Sequence, residues 1–222
     1  MLLELFKVFR SRLTISGGGG SNAAAKGFIA SSQVVGVQTF SGRTWVAQGR
    51  TVTYSAAGSY SDFTSVSAGS LTITDSTLHS NIVNLLSANN FLYIFGTDSI
   101  NVFSDVRVLT DGSTIFTNTN VSASVGTRLP YAIFPYFRSV LFMNEYGVYA
   151  LVGSTTSKIS DPLDGIFNNI DFSSPIYASQ CIINNMLCAV FNFRYNDNGT
   201  YRYIQAVFSD KKWFIGNQGT DV

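Results

Sequence analysis

From Phe28 onward, short apolar runs alternate with small clusters of Gly, Asn, Asp and Ser. The stretch Phe91 to Phe103 sets the pattern. Leu92 to Phe95 is wholly apolar, Gly96-Thr97-Asp98-Ser99 supplies turn chemistry, and Ile100 to Phe103 resumes an apolar strand. Strand, polar turn and strand together predict a β-hairpin. Gly96 is expected to need positive φ in that turn. The unit recurs. Val34-Val35-Gly36-Val37 followed by Thr44 to Ser55 parallels Ile82-Val83-Asn84-Leu85 followed by Leu92 to Ser104, with Trp45 and Tyr93 lying 48 residues apart. Val140 to Leu151 is a third copy, and Ile94 to Phe142 is again 48 residues. Met186 to Phe193 opens a fourth, with a longer turn through Asn196-Asp197-Asn198-Gly199, then Tyr203 to Phe208 and Trp213-Phe214.

A period of this length carrying about four short strands predicts an all-β chain, a β-propeller-like array of about four blade repeats. A blade cannot bury both faces alone, and stacking blades covers them while leaving only short edges. A β-sandwich is the alternative architecture, because the spacing of turn signals suits it too. Ser160 to Ile170 predicts a short helix, with an early Pro162 and with Leu163, Ile166, Phe167 and Ile170 at helical spacing. Thr77 to Leu86 has a weaker helical pattern whose second half aligns with strand in the other copies. Residues 1–27 are set apart as an N-terminal arm and a Gly/Ala-rich linker, and residues 28–222 as the β domain. Within the arm, Met1 to Leu13 reads as a short amphipathic helix, and Ser16 to Gly27 as low-complexity linker. No Gly-Lys-Ser/Thr follows its glycines, which excludes a phosphate-binding loop. The charges of the arm follow its apolar residues, an order that a secretory signal does not use.

Composition narrows the class. Only 12% of residues are charged while 45% are hydrophobic, so a surface of Ser, Thr, Asn and Gly is expected. A net charge of +1 gives no basic face for nucleic-acid binding. No apolar run is long enough for a membrane span. The two cysteines, Cys181 and Cys188, read as buried free thiols with no metal-ligating neighbour.

The search for chemistry yields no catalytic, cofactor-binding or metal-binding residue, and no cofactor is expected. The single histidine, His79, has no Gly-x-Ser-x-Gly elbow to serve and reads as structural or superficial. Asp98, Glu145 and Asp210 fall inside hairpin turns at comparable repeat positions; some propellers are glycosidases that use such carboxylates, but turn formation explains these without catalysis. Asn196-Asp197-Asn198-Gly199 is a loose echo of a calcium loop. The abundant Phe and Tyr fall at recurring strand positions, which predicts core rather than a ligand platform. The sequons at Asn120 and Asn198 carry no weight in so Asn- and Ser-rich a chain.

Five short motifs follow one another between Val34 and Asn217: Trp45 to Phe63, Ile82 through Phe103, Ser124-Val125-Gly126-Thr127 with Val140 to Leu151, Gly147-Val148-Tyr149 within it, and Lys158-Ile159-Ser160 before a helix. In this order they resemble the packaged-DNA stabilisation, or tail-hub (nozzle), proteins of short-tailed bacteriophages. The resemblance implies a non-enzymatic virion tail component, assembled in the host cytoplasm, that forms a homo-oligomeric ring below the portal and adaptor. Such a ring retains packaged DNA and conducts it at ejection without sequence-specific binding. Members of that family are considerably longer than this chain. A host-surface or glycan-binding adhesin or decoration protein of a virion, using exposed Tyr and Trp, is the alternative.

Overall fold

The computed structural model describes residues 33–73, 78 and 80–217. The expected N-terminal arm and linker, and His79, lie outside the described residues. The described residues are all-β and form four antiparallel sheets of four strands. Sheet I is β1 (Val34–Phe40), β2 (Arg43–Gln48), β3 (Thr51–Tyr54) and β4 (Gly69–Thr72). Sheet II is β5 (Ile82–Ala88), β6 (Phe91–Gly96), β7 (Ile100–Val108) and β8 (Thr114–Ser122). Sheet III is β9 (Ile133–Tyr136), β10 (Ser139–Asn144), β11 (Gly147–Val152) and β12 (Thr155–Lys158). Sheet IV is β13 (Tyr177–Ile183), β14 (Met186–Asp197), β15 (Thr200–Ser209) and β16 (Lys212–Asn217). Every sheet is a meander in which each strand pairs with the next in sequence. The contacts group into two units that meet in sequence at Gly126 and Thr127, so sheets I and II form one unit and sheets III and IV the other.

The repeat is visible in local geometry. The first two strands of each sheet are joined by a two-residue turn: Ser41-Gly42, Asn89-Asn90, Phe137-Arg138 and Asn184-Asn185. Both central residues have positive φ in the first, second and fourth of these (49° and 67°, 52° and 63°, 49° and 60°). That is the type I′ signature, whose twist matches that of the flanking strands, and Asn and Gly tolerate it best. In the third turn the exposed Phe137 takes φ 51°. A register shift also recurs, between Val34 and Gly36 in β1 and between Ile82 and Asn84 in β5, again 48 residues apart.

In the first unit, sheets I and II pack through Trp45, Ile94, Leu85, Leu92 and Phe103, all buried. Trp45 lies 4.9 Å from the Tyr54 ring and 5.6 Å from Phe116, and its indole N–H donates to Phe40 O at 2.9 Å. That bond lets the indole enter the core without leaving a donor unpaired. The first strands of the two sheets run side by side. Gln38 Nε2 donates to Leu85 O at 3.3 Å, and a Cβ at Gly36 would stand 2.8 Å from Leu85 N. Only a residue without a side chain permits that approach.

Arg43 is the one charged residue in this core, 1% exposed. Its guanidinium donates to Ser55 O at 2.8 Å, to Ser67 O at 2.5 Å and to Thr114 Oγ1 at 2.8 Å, with the Tyr54 ring 5.6 Å away. The acceptors are two carbonyls and a hydroxyl, so Arg43 ties the 55–68 loop and β8 to sheet I. Burial lowers its pKa, but an arginine remains charged in that setting.

In the second unit, Leu141 and Met143 of β10, Phe134 of β9, and Ala189, Phe191 and Phe193 of β14 form the core. A 3-10 turn, Asp161–Leu163, leads into the single-turn helix α1 (Asp164–Phe167), and Leu163, Phe167 and Ile170 seal one side of that core. The expected helix is therefore present but stops at Phe167, and Ser160 makes no side-chain capping bond; its hydroxyl accepts from Val148 N at 2.9 Å instead. Trp213 packs on Phe208 at 4.9 Å and Phe191 at 5.8 Å, and its N–H donates to Ile159 O at 2.8 Å.

Candidate functional site

Two surfaces stand out, one in each unit. Along β14, Ala189, Phe191 and Phe193 enter the core, so by strand alternation Cys188, Val190 and Asn192 belong to the opposite face of sheet IV. The strand register puts Tyr177, Ile183, Tyr203, Val207 and Phe214 on that same face. Tyr203 is 59% and Phe214 55% exposed, and Tyr177 and Ile183 are exposed as well. The long β14–β15 hairpin extends this face and is braced at its tip. Arg202 pairs with Asp197 at 3.1 Å, and the Arg194 guanidinium sits 3.8 Å over the Tyr201 ring while also contacting Asp171 at 3.2 Å. Between those charges and the β13–β14 turn the face carries exposed apolar side chains interrupted by Ser179, Asn192, Gln205 and Lys212. Clusters of exposed apolar residues of this kind are candidate interaction surfaces.

The second surface is a cleft of about 540 Å³ in the first unit, at the end where the β1–β2 and β5–β6 turns lie. Phe40, Ala88 and Val106 give it apolar wall; Thr39, Ser41, Ser87, Asn89 and Asn90 contribute hydroxyls and amides; Asp105 is its single charged side chain. Asp105 occupies a bulge in β7 with φ 54° and accepts from Ser104 Oγ at 3.2 Å. With no cation in its wall, the cleft suits a neutral polyhydroxyl ligand: the amides donate and accept, the carboxylate accepts, and the apolar wall takes C–H surface.

The carboxylates singled out in the sequence occupy turns of three different sheets. Asp98 sits in the β6–β7 turn and Glu145 in the β10–β11 turn, the second turn of their respective sheets. Asp210 sits in the β15–β16 turn, the third turn of sheet IV, with φ 47°. In a meander the second and third turns are at opposite ends, so Asp210 is not the counterpart of the other two; that position in sheet IV belongs to Asn198-Gly199. Glu145 makes only a loose pair with Arg128 at 3.9 Å. The two tryptophans are not available as a ligand platform, since Trp45 is fully buried and Trp213 packs into the core. Gly96 takes no positive φ; it is small because Leu78 Cδ1 would stand 2.5 Å from an added Cβ.

Three serine-rich loops are organised by aspartates. Asp62 accepts from the Ser65 hydroxyl, from Thr64 N and Ser65 N, and from the Thr64 hydroxyl, which together hold its carboxyl well below the usual range. Asp111 is lowered by Ser113, and Asp171 by Ser173 and Ser174 with a smaller contribution from Arg194. These are Asx-type loop anchors. Among the described residues no group of three or more His, Cys, Asp and Glu is placed to hold a metal ion, and no helix is long and apolar enough to cross a membrane. No protein-family model matches the chain, and no curated protein matches it.

Proposed function

We propose that the chain is a non-enzymatic structural subunit of a phage tail, of the nozzle or hub type its sequence resembles, working by self-association into a ring. The observation that carries this reading is the exposed apolar face of sheet IV. Its occupant is a sheet of a second copy. In each unit of this chain, sheets already bury such faces against one another, through Trp45, Ile94 and Phe103 in one and Leu141, Phe191 and Phe193 in the other. A contact between unlike faces of successive copies is heterologous, and it closes into a ring when its rotation allows. Propeller-like stacking of the sheets belongs to this same proposal. A surface poor in Lys and Arg suits a conduit that retains and passes DNA without gripping it, since each neutralised phosphate strengthens binding.

The test is the mass of the assembled species by native mass spectrometry, together with electron microscopy of virus particles. A multimer that dissociates on Phe214→Asp, with the fold retained, supports the reading. A strict monomer absent from particles refutes it. The cleft beside Asp105 favours a second reading, a glycan-binding virion adhesin. Binding of neutral glycans on an array, lost in Asp105→Asn and unaffected by Phe214→Asp, would select it.

A further inference from the structure

Cys181 and Cys188 are seven residues apart in the sequence but directly opposed in the structure, as Cα partners of β13 and β14. The Asn184-Asn185 turn fixes this register. Its closing pair is Ile183 and Met186, the next is Ile182 and Leu187, and the third is Cys181 and Cys188, with no register shift between them. In a hairpin with a two-residue turn the closing pair exchanges both backbone hydrogen bonds, and so does the third. Opposed Cα atoms in such a pair stand about 5.5 Å apart. Disulfides span Cα separations of roughly 4.4–6.8 Å, which this pair meets; its Cβ atoms, about 5 Å apart in a hydrogen-bonded pair, must draw in by about 1 Å, so the bridge is strained and easily reduced. Both thiols project from one face of the sheet.

The surroundings fix the order of reaction. Cys188 is buried and its thiol points along the strand, 3.5 Å from Met186 O. Cys181 is only half-buried and meets solvent first. Burial and the neighbouring thiol push the Cys181 thiol up, so reaction at neutral pH is slow and accelerates as the pH rises.

We propose that Cys181 and Cys188 form a redox-sensitive dithiol that closes to a cross-strand disulfide when it meets a low-molecular-weight disulfide such as oxidised glutathione. The Cys181 thiolate attacks one sulfur of the oxidant, forming a mixed disulfide and expelling one glutathione thiolate. The Cys188 thiolate then attacks Cys181 Sγ, forming the protein disulfide and expelling the second. Two protein thiols are oxidised by two electrons, the oxidant is reduced to two glutathione thiols, and these take up the two protons released. The loop closed by this bond is short and already pinned by the turn, so the bond adds little to the folding equilibrium. It clamps β13 to β14 on the face that carries Tyr177 and Phe214. The inference is independent of the proposed function.

The test uses the full chain, incubated natively with oxidised glutathione near pH 8, then quenched, alkylated and weighed intact. The expected product has lost two hydrogens and takes up no alkylating reagent. Peptide mapping without reductant should join the Cys181 and Cys188 peptides. Cys188→Ser should trap a stable glutathione adduct at Cys181, whereas Cys181→Ser should react at least tenfold more slowly, because the remaining thiol is buried. Persistent glutathione adducts on the unmodified chain, two thiols still open to alkylation, or bridges only between chains would each overturn the proposal.

Discussion

Replacing Arg43 with Met tests how the first unit is held together. Two effects oppose each other. Removing a buried cation that has no carboxylate partner relieves a desolvation cost, and such replacements are sometimes neutral or stabilising. Against that, three hydrogen bonds from a charged donor are lost, each worth about 1.5–3 kcal/mol. Ser67 O keeps a second donor, since the Thr114 hydroxyl also reaches it at 2.7 Å. Ser55 O is left without the guanidinium, and an unsatisfied buried carbonyl costs about 1–3 kcal/mol. Met preserves most of the apolar stem, so cavity formation is minor. The orphaned acceptor and the released 55–68 loop decide the sign, and the net loss is expected to be about 2–4 kcal/mol. For a unit of this size that corresponds to a fall in Tm of about 10–20 °C. The chain has two tryptophans, so a Trp213→Phe background leaves Trp45, in the same core, as the sole indole. Urea titration followed by Trp45 fluorescence in that background reads the unit directly. A loss under about 1 kcal/mol, or a gain, would mean that desolvation relief outweighs the bonds and would refute the reasoning. Arg43→Lys should recover only part of the loss, because a point charge cannot serve three acceptors as a planar fork does.

Other perturbations follow from the same geometry. Gly36→Ala should destabilise the first unit by about 2–4 kcal/mol, because the added Cβ meets the β5 backbone, which cannot swing aside; a urea midpoint unchanged from the parent would contradict the side-by-side first strands. Gly96→Val should also weaken the fold, through collision with Leu78, and Leu78→Ala should recover part of the loss in the double variant, a recovery that a φ-based cause would not give. Asp62 has a folded pKa below its unfolded value, so its contribution is fully present above the unfolded pKa of about 4 and is lost as the pH falls through the folded value. Asp62→Asn should therefore lower Tm at pH 7, with the gap to the parent narrowing below about pH 4; a gap that stays constant on acidification would show that the carboxylate charge is not the cause.

The strand repeat was legible because its determinants are local. Apolar runs such as Leu92 to Phe95 and Val140 to Met143, separated by Gly, Asn and Asp, fall at one spacing and become β6 and β10 with their turns. The strand reading of Ile82 to Leu86 held over its helical one because the copy alignment carried tertiary information that helical spacing lacks. Arg43 was not legible: an arginine beside a strand reads as solvated, and its acceptors come from residues 55, 67 and 114. The cleft was equally hidden, since residues 39–41, 87–90 and 105–106 meet only after two sheets pack. The cysteine pairing could have been found. Asn184-Asn185 is a type I′ signal midway between the thiols, and opening the fourth copy at Met186 leaves out the strand that precedes this turn. Asp210 was misaligned because the longer β14–β15 hairpin shifts the turns of the fourth copy.

The meander connectivity also governs how the chain comes to be folded. Since every strand pairs with its sequence neighbour, no ladder waits for a distant segment, and loop closure before each pairing is short. Such local pairing favours rapid formation of each hairpin. During synthesis the sheets can therefore be completed one after another as the chain emerges. Within each unit, the first finished sheet then presents an apolar face until the second arrives to cover it. The slow and vulnerable event is the seating of one completed sheet on the next, and it is there that this chain meets its competition from other chains.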